Sequence, residues 1–442
     1  MTTDHKARLR SWGLAASLLL SSYIHAAELT LEQVVDQALA NDIWLSSSHH
    51  NETAKRAMAD AAGALPDPKI SLALANMPTD SFDFGQEGMT QFALGISQML
   101  PRGDTLELKE QRFSQEAHLQ PLMRLERRAQ VRMQVSQLWI DAWRARESLT
   151  LIQRNRRLFK QLEDVATSSY MVGLGKTQQQ DVVRAQLELT QLEDKISRLD
   201  LQYDTLRGRL SEWLAAARER STGLVDVAAV EIAAQPPALV LDRQLQSESG
   251  EDSRARFFLQ HPSVVLFDRQ IEVAQTDIRL AEQSYKPAWG VSASYGYRGD
   301  DPMGQDRADL FSLGVSMEVP LFSTRRQDGE VASAASRAEV VRTERLLKLR
   351  QLLAAHDTSM AALQRLNERL SLYRKQLLPQ TAQAAEAALN AYTRDVGDFA
   401  EVVRARIAEL NARLAEIEIM AEQQKQVAQL NYLMTQVRQE EM

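Results

Sequence analysis

Between Pro287 and Pro320 the chain alternates with a period of two over two successive runs. From Trp289 to Tyr297 the odd positions are Trp289, Val291, Ala293, Tyr295 and Tyr297, and the even ones are Gly290, Ser292, Ser294 and Gly296. From Phe311 to Val319 the pattern returns, with Phe311, Leu313, Val315, Met317 and Val319 set against Ser312, Gly314, Ser316 and Glu318. Period-two alternation of this length specifies strands with one apolar and one small-residue face. A hairpin that covers its own soluble core gives the same pattern, and the signal of a single membrane-barrel strand is weak.

A second copy of the construction decides between these readings. Ile70, Leu72 and Leu74 alternate with Ser71, Ala73 and Ala75, and Phe92, Leu94 and Ile96 alternate with Ala93, Gly95 and Ser97. Pro68 and Pro101 bracket this pair, and Pro287 and Pro320 bracket the other, at an identical separation of 33 residues. The chain is therefore read as two structural repeats, residues 27–214 and 257–442, joined by a linker over 215–256 that carries Pro236-Pro237 and the polar run 247–252.

Outside the strand pairs the pattern is helical. A helix is expected from Glu28 to about Gly63, with Thr30 as its N-cap, and another from about Pro262 to Tyr285. Long helical hairpins follow each strand pair. In the first, Val131, Val135, Leu138, Ala142, Ala145, Leu149 and Ile152 form an outbound coiled-coil seam, with a kink expected at Pro121. Val182, Ala185, Leu189, Leu192, Ile196, Leu199 and Tyr203 form the returning seam. In the second, Leu363, Leu366, Leu370, Tyr373 and Leu377 run out, and Val403, Ile407, Leu410, Leu414 and Ile417 run back. At 1.5 Å per residue each outbound helix reaches ~100 Å, more than a globular domain requires.

The bulk properties narrow the class. With 442 residues, a formal net charge of −7 and no stripe of basic residues, the chain lacks the footprint of a nucleic-acid protein. It contains no cysteine, which excludes disulfides, thiolate metal sites and acylation of an N-terminal cysteine. Lys6, Arg8 and Arg10, the apolar run Leu14 to Leu20 and the small residues ending at Ala26 or Ala27 predict a secretory signal over 1–26. No later segment is long and apolar enough to span a bilayer as a helix, so a membrane crossing must use strands.

Four strands cannot close a barrel, and an open edge in lipid leaves backbone groups unpaired at several kcal/mol each. Closure then comes from neighbouring chains. Three copies give twelve strands, an even number within the range of outer-membrane barrels, and small inner residues argue for an open lumen. The expectation is a trimer whose strands alternate between chains.

At these residues the chain resembles the outer membrane efflux protein family, of which TolC is the best-known member. The resemblance rests on the duplicated strand pairs, Leu65-Pro66-Asp67-Pro68, Val319-Pro320-Leu321-Phe322, and the tips at Tyr170 to Leu174 and Asp395 to Asp398. It implies a mainly α fold with two β-hairpins per chain, trimerising into a twelve-stranded β-barrel that continues as a periplasmic α-barrel. It also implies an outer-membrane location and partnership with a periplasmic adaptor and an inner-membrane pump of the resistance-nodulation-division class, with outer-membrane lipid around the strands. The opening Leu65 to Pro101 looks more like members serving heavy-metal pumps, so metal cations or small toxic compounds are the expected cargo. A type I protein-secretion duct and a surface-anchored, adhesin-like coiled coil are the competing readings; the anchor has no need of a second strand pair.

The family's tips are closed by contacts among Tyr, Arg and Asp side chains. The resemblance carries this periplasmic aperture onto Asp181, Tyr392, Arg394, Asp398, Glu401 and Arg404, and the adaptor contact onto Val172, Gly173, Leu174, Val396 and Gly397. One departure is visible: many members have Gly where this chain has Asp395, and their Arg follows that Gly, whereas Arg394 precedes Asp395. Repeated carboxylates around a narrow pore select cations, although acids in a helix's first turn are also ordinary dipole partners.

Other signals carry less. Gly175-Lys176-Thr177 ends like a P-loop, but Tyr170 stands where its first glycine belongs. His49-His50 are adjacent and so do not share a helix face, which leaves no metal-ligand spacing. Asp80, Asp83, Glu87, Asp300, Asp301, Asp306 and Asp309 fall in the two hairpin loops, as a solvated rim would. No catalytic motif and no cofactor signature is present, and the sequence is read as that of a non-enzyme.

Overall fold

The computed structural model describes residues 28–171, 178–215, 230–241, 251–394 and 396–437. The expected signal segment 1–26 lies outside them, as do Val172, Gly173, Leu174 and Asp395.

The alternating runs form four strands: β1 (Lys69–Ala75), β2 (Gln91–Leu100), β3 (Ala288–Tyr297) and β4 (Leu310–Glu318). They make one antiparallel sheet in the order β1-β2-β3-β4. The register aligns like with like. Leu72 pairs with Leu94, Leu94 with Tyr295 and Tyr295 with Phe311, while Ser71, Gly95, Ser294 and Ser312 form the neighbouring row on the other face. Because side chains alternate strictly, this register puts every large apolar row on one face. That face is bare in the isolated chain: Ile70, Leu72, Leu313 and Val315 are all exposed.

The pairing of β2 with β3 corrects the expectation that strands alternate between chains. Both hairpins lie side by side in one chain, so ring closure involves only the edges β1 and β4. The reason is in the helices below.

Eleven residues make α1 (Leu31–Asn41), and α2 (Ile43–Gly63) follows at once. The single helix expected here is two, because Asp42 leaves helical geometry to cap α2, its side chain accepting from Trp44 N. The same carboxylate takes Arg127 at 2.8 Å, which fixes the break. Beyond β2, α3 (Thr105–Met171) is 67 residues of α-helix with Pro121 inside it, and α4 (Gln179–Leu214) returns along it.

In the second repeat a short α5 (Glu251–Phe258) precedes α6 (Pro262–Glu282) and a 3₁₀ turn over Gln283–Tyr285. After β4, α7 (Ser323–Leu372) leads through a π turn at Tyr373–Leu377 into α8 (Leu378–Thr393), and α9 (Phe399–Leu433) comes back. The π turn sits just before Pro379, which lacks the N–H that would continue the regular ladder.

Directly under the sheet, α2 packs on α3, α3 on α6 and α6 on α7. Helix order therefore repeats strand order, and the α3–α6 contact is what brings β2 beside β3. Arg102 pins the junction: its guanidinium donates to Ser284 O at 2.9 Å and Lys286 O at 3.1 Å and pairs with Glu318. Gly103 makes the turn at φ +46°, and a Cβ there would collide with the Lys286 side chain.

Midway along the helices lies the main core. Val131, Val135, Ala142 and Ala145 of the predicted seam are fully buried, but so are Trp139, Ile140 and Trp143 on a second face of α3. Val230, Ile232 and Ala233 of the 215–256 segment are buried in this core. Ile232 bridges Leu29, and Trp139 and Trp143 donate their indole N–H groups to Leu29 O and Ala234 O at 3.0 and 3.2 Å. No helix among the described residues is long and apolar enough to cross a membrane.

Candidate functional site

Two features stand at opposite ends of the molecule: the strand sheet, and the pair of reversals where α3 gives way to α4 and α8 to α9. Both reversals share one core. Ile152, Phe159 and Ala166 of α3, Ala185 and Leu192 of α4, and Phe399, Val402, Val403 and Leu410 of α9 form a single buried cluster. The two tips are thus neighbours on one bundle end.

Residues 181–185, Asp-Val-Val-Arg-Ala, and 401–405, Glu-Val-Val-Arg-Ala, match in sequence but are not equivalent in that bundle. Val403 is buried while its counterpart Val183 is exposed, so α9 is enclosed where α4 lies at the outside. The carboxylates differ in the same way. Asp181 is buried and its carboxylate accepts from Gln178 N at 2.9 Å, closing a capping box on α4. Its counterpart Glu401 is exposed and pairs with Arg404 at 3.1 Å.

The second tip is built by three local interactions. Arg394 N donates to Asn390 O, and both Val396 N and Gly397 N donate to Ala391 O at 3.0 Å, which satisfies the last carbonyls of α8. Gly397 lies so close to that helix end that a Cβ would stand 2.8 Å from Tyr392 N. Asp398 then starts α9 by accepting from Ala400 N at 3.2 Å. Tyr392 meets Phe399 edge to face, with ring centroids 5.6 Å apart. Val396 remains 82% exposed at the extremity.

Of the expected aperture residues, Tyr392, Arg394, Asp398, Glu401 and Arg404 fall together on the α8–α9 reversal, and Asp181 heads the adjacent α4. Of the expected adaptor contacts, Val396 and Gly397 lie at that tip, and the other three are outside the described residues. No group of three or more His, Cys, Asp or Glu suited to a metal ion occurs among the described residues.

At the sheet end the loop acids have structural duties. Asp309 accepts from Arg298 N at 3.0 Å and from the Tyr295 hydroxyl, and Asp301 accepts from Met303 N and Gln305 N at 2.8 Å. Arg307 of the second loop donates to Gly85 O and Glu87 O of the first, and Arg298 donates to Gly88 O, so the two loops are tied together. Sequence reasoning missed these arginine staples, for which no local signal exists.

Comparison with known proteins agrees with this arrangement. Residues 259–435 match the family model described as outer membrane efflux protein. Over nearly its whole length the chain has the fold of the outer membrane protein VceC of Vibrio cholerae (TM-score 0.70, 16% identity, 91% of this chain and 95% of that one). It is similarly close to the CmeC outer membrane channel of Campylobacter jejuni (TM-score 0.74, 13% identity, 91% and 85%). A third likeness is to the open state of the MtrE outer membrane channel of Neisseria gonorrhoeae (TM-score 0.68, 13% identity, 91% and 88%). No curated protein sequence matches the chain.

Proposed function

We propose that this chain, whose residues 259–435 belong to the outer membrane efflux protein family, is the outer-membrane duct of a tripartite export system. An inner-membrane pump and a periplasmic adaptor deliver the cargo, and the duct passes it outward without chemistry of its own.

The observation that carries this reading is the sheet. Strands β2, β3 and β4, of nine or ten residues, have the length of a tilted crossing of the bilayer core, and β1 has seven. One face is apolar and bare but for Gln98, the other carries mainly Ser, Gly and Ala with Lys69, Gln91, Met99 and Glu318 toward its ends, and both edges are unpaired within the chain. Lipid accepts the first face, water the second, and only a ring of copies satisfies the edges. Three copies give the twelve strands of a barrel with an open lumen, and the helices of α3 and α7–α8 carry that lumen ~100 Å further.

Asp398 and Glu401, with Tyr392, Arg394 and Arg404, then surround the far opening. Asp181 sits beside them as a capping carboxylate of low exposure. Val396 and Gly397, with Val172 to Leu174, meet the adaptor. Cargo is selected by the pump; metal cations and small toxic compounds are the classes to examine first.

The test is reconstitution. Detergent-purified protein should weigh three copies by native mass measurement and insert into planar bilayers as a conducting pore. A stable monomer, or a trimer that never conducts, overturns the reading. A deletion strain challenged with metals, drugs and detergents then reports the cargo.

A further inference from the structure

We propose that Phe322, supported by Leu321, is a knob that seats in a cleft beside β1 of a second copy of this chain and fixes the ring where sheet meets helices. This rests on the trimer reading above.

The placement follows from order. Strands β1 to β4 stand over helices α2, α3, α6 and α7 in the same sequence, so β1 with α2 forms one free flank and β4 with α7 the other. In a closed ring β4 of one copy pairs with β1 of the next. Adjacent strands are antiparallel throughout the sheet, and an antiparallel β4–β1 pair sets the end of β4 beside the start of β1. Residues 319–322 of one copy therefore lie against residues 65–68 of its neighbour.

Each flank carries one half of a fit. On the β4 side Phe322 is 90% exposed and Leu321 76%, on a short link where Phe322 itself caps α7. On the β1 side a cleft of about 450 Å³ opens over α2 and α3 and reaches Leu280 of α6, its lining including Met58, Ala62, Pro66 and Phe113 together with Lys109 and Arg112. Small residues on α2 leave the room, Pro66 and Pro101 are rigid, and the Phe113 ring is flanked by Arg112 and Lys55, 5.5 and 5.6 Å from its centroid. A large aromatic inserted there buries ~150–250 Å².

Exposed apolar residues elsewhere favour the same occupant. Among the described residues, α2 exposes Ile43 and Met58, and α7 exposes Val340, Leu346 and Leu347, whereas the interior helix α6 exposes no large apolar residue. The excess lies on the two flanks that a second copy covers. Head-to-tail contacts of this kind, one patch meeting a different one, are what cyclic closure requires.

The natural chain has no cysteine, so a pair can be introduced cleanly. Phe322→Cys combined with Ala62→Cys should form a disulfide between copies on mild oxidation of outer membranes, giving dimer and trimer bands on a non-reducing gel. Either cysteine alone, or Phe322→Cys with Leu201→Cys, should give none. A trimer by mass that yields no 322–62 bond, or only an intrachain one, overturns the knob while leaving the duct reading intact. A monomer by mass overturns both. Strong quenching of a bimane at position 322 by brominated lipid, without crosslinking, assigns the residue to lipid and overturns the knob as well. Independently, Phe322→Asp should lower the temperature at which the trimer dissociates in detergent, with helix content unchanged, while Phe322→Leu should not. An unchanged dissociation temperature for Phe322→Asp refutes the proposal.

Discussion

The Tyr432 hydroxyl donates to Glu126 Oε1 at 2.6 Å, joining the end of α9 to the middle of α3 across 306 residues of sequence. Gln130 donates to the same oxygen at 2.8 Å, and Glu126 Oε2 lies 3.8 Å from His261 Nδ1. Burial pushes the Tyr432 phenol well above its ordinary range, with the Glu126 charge adding to it, so the hydroxyl keeps its proton and remains a donor. Tyr432→Phe leaves a buried carboxylate oxygen with one partner fewer. The expected cost is ~1–3 kcal/mol, measurable as a lower midpoint in thermal unfolding followed by the helical signal.

His261 supplies a pH dependence. The ring is fully buried; its Nδ1 faces Ser263 N and the Ser263 hydroxyl at 3.3 and 2.8 Å, and its Nε2 lies 3.3 Å from Tyr432 O. That pattern suits the neutral Nε2–H form. Burial lowers the His261 pKa below its usual 6.5, Glu126 opposes the shift, and Lys348 adds to it. The unfolded chain therefore binds a proton that the folded one refuses. Stability from this group is complete above about pH 6.5 and is lost as pH falls from there toward the depressed value. Unfolding midpoints compared at pH 7.5 and 5 should drop in the parent, and His261→Gln should flatten the difference. An equal drop in that variant assigns the effect to other groups.

Arg102 and Glu318 are paired but should not be equally important. Arg102 has a largely covered side chain and also donates to two carbonyls of the other repeat, while the Glu318 side chain is 63% exposed. Removing the exposed Glu318 leaves Arg102 its two carbonyl partners and should cost under ~1 kcal/mol. Arg102→Ala strips two carbonyls, that of Ser284 part-buried, of a charged donor and should cost ~2 kcal/mol. Detergent stability of the two variants, measured side by side, should show this order.

Much of the fold was legible because it is written in local periodicity. The alternations at 70–75, 92–97, 289–297 and 311–319 give the strands to within one residue at each end, except that β2 runs three residues further, to Leu100. What periodicity lacks is long-range order. Nothing in the runs themselves says that β2 pairs with β3, since that depends on α3 meeting α6. The break at Asp42 was hidden because neither Gly nor Pro marks it, and the signal is a capping carboxylate held by Arg127, 85 residues away. At the tips, the likeness of residues 181–185 and 401–405 marks the repeat but says nothing of how each copy packs. Packing makes α9 an enclosed helix and α4 an outer one, and so gives Asp181 and Glu401 different surroundings.

Gly397 tests the tip itself. A methyl group at this position would stand 2.8–2.9 Å from Tyr392 N and from the carbonyl carbon and Cβ of Ala391, all fixed by the end of α8. The backbone must shift, at an overpacking cost of ~1–3 kcal/mol. Gly397→Ala should move Val396, and with it the proposed adaptor surface. Weaker crosslinking from a cysteine at Val396 to the adaptor, with trimer mass unchanged, is the expected outcome.

The charge at the opening is the last expectation, and its test depends on what each carboxylate does locally. Three copies each of Asp398 and Glu401 around a narrow aperture confine like charges where screening is poorer than in bulk, which attracts cations and holds multivalent ones longest. Replacement by Ala would confound this, because Asp398 also caps α9 through Ala400 N, and losing a cap costs ~1 kcal/mol. Asparagine retains a capping oxygen without charge. Glu401 pairs with Arg404 in an exposed setting, so Glu401→Gln changes charge with little effect on folding. The double variant Asp398→Asn, Glu401→Gln should assemble as the parent does, lose cation selectivity in planar-bilayer recordings, and no longer be blocked by a trivalent cation added on the tip side. Block as strong as the parent's in a correctly assembled variant would show that these carboxylates do not line the aperture.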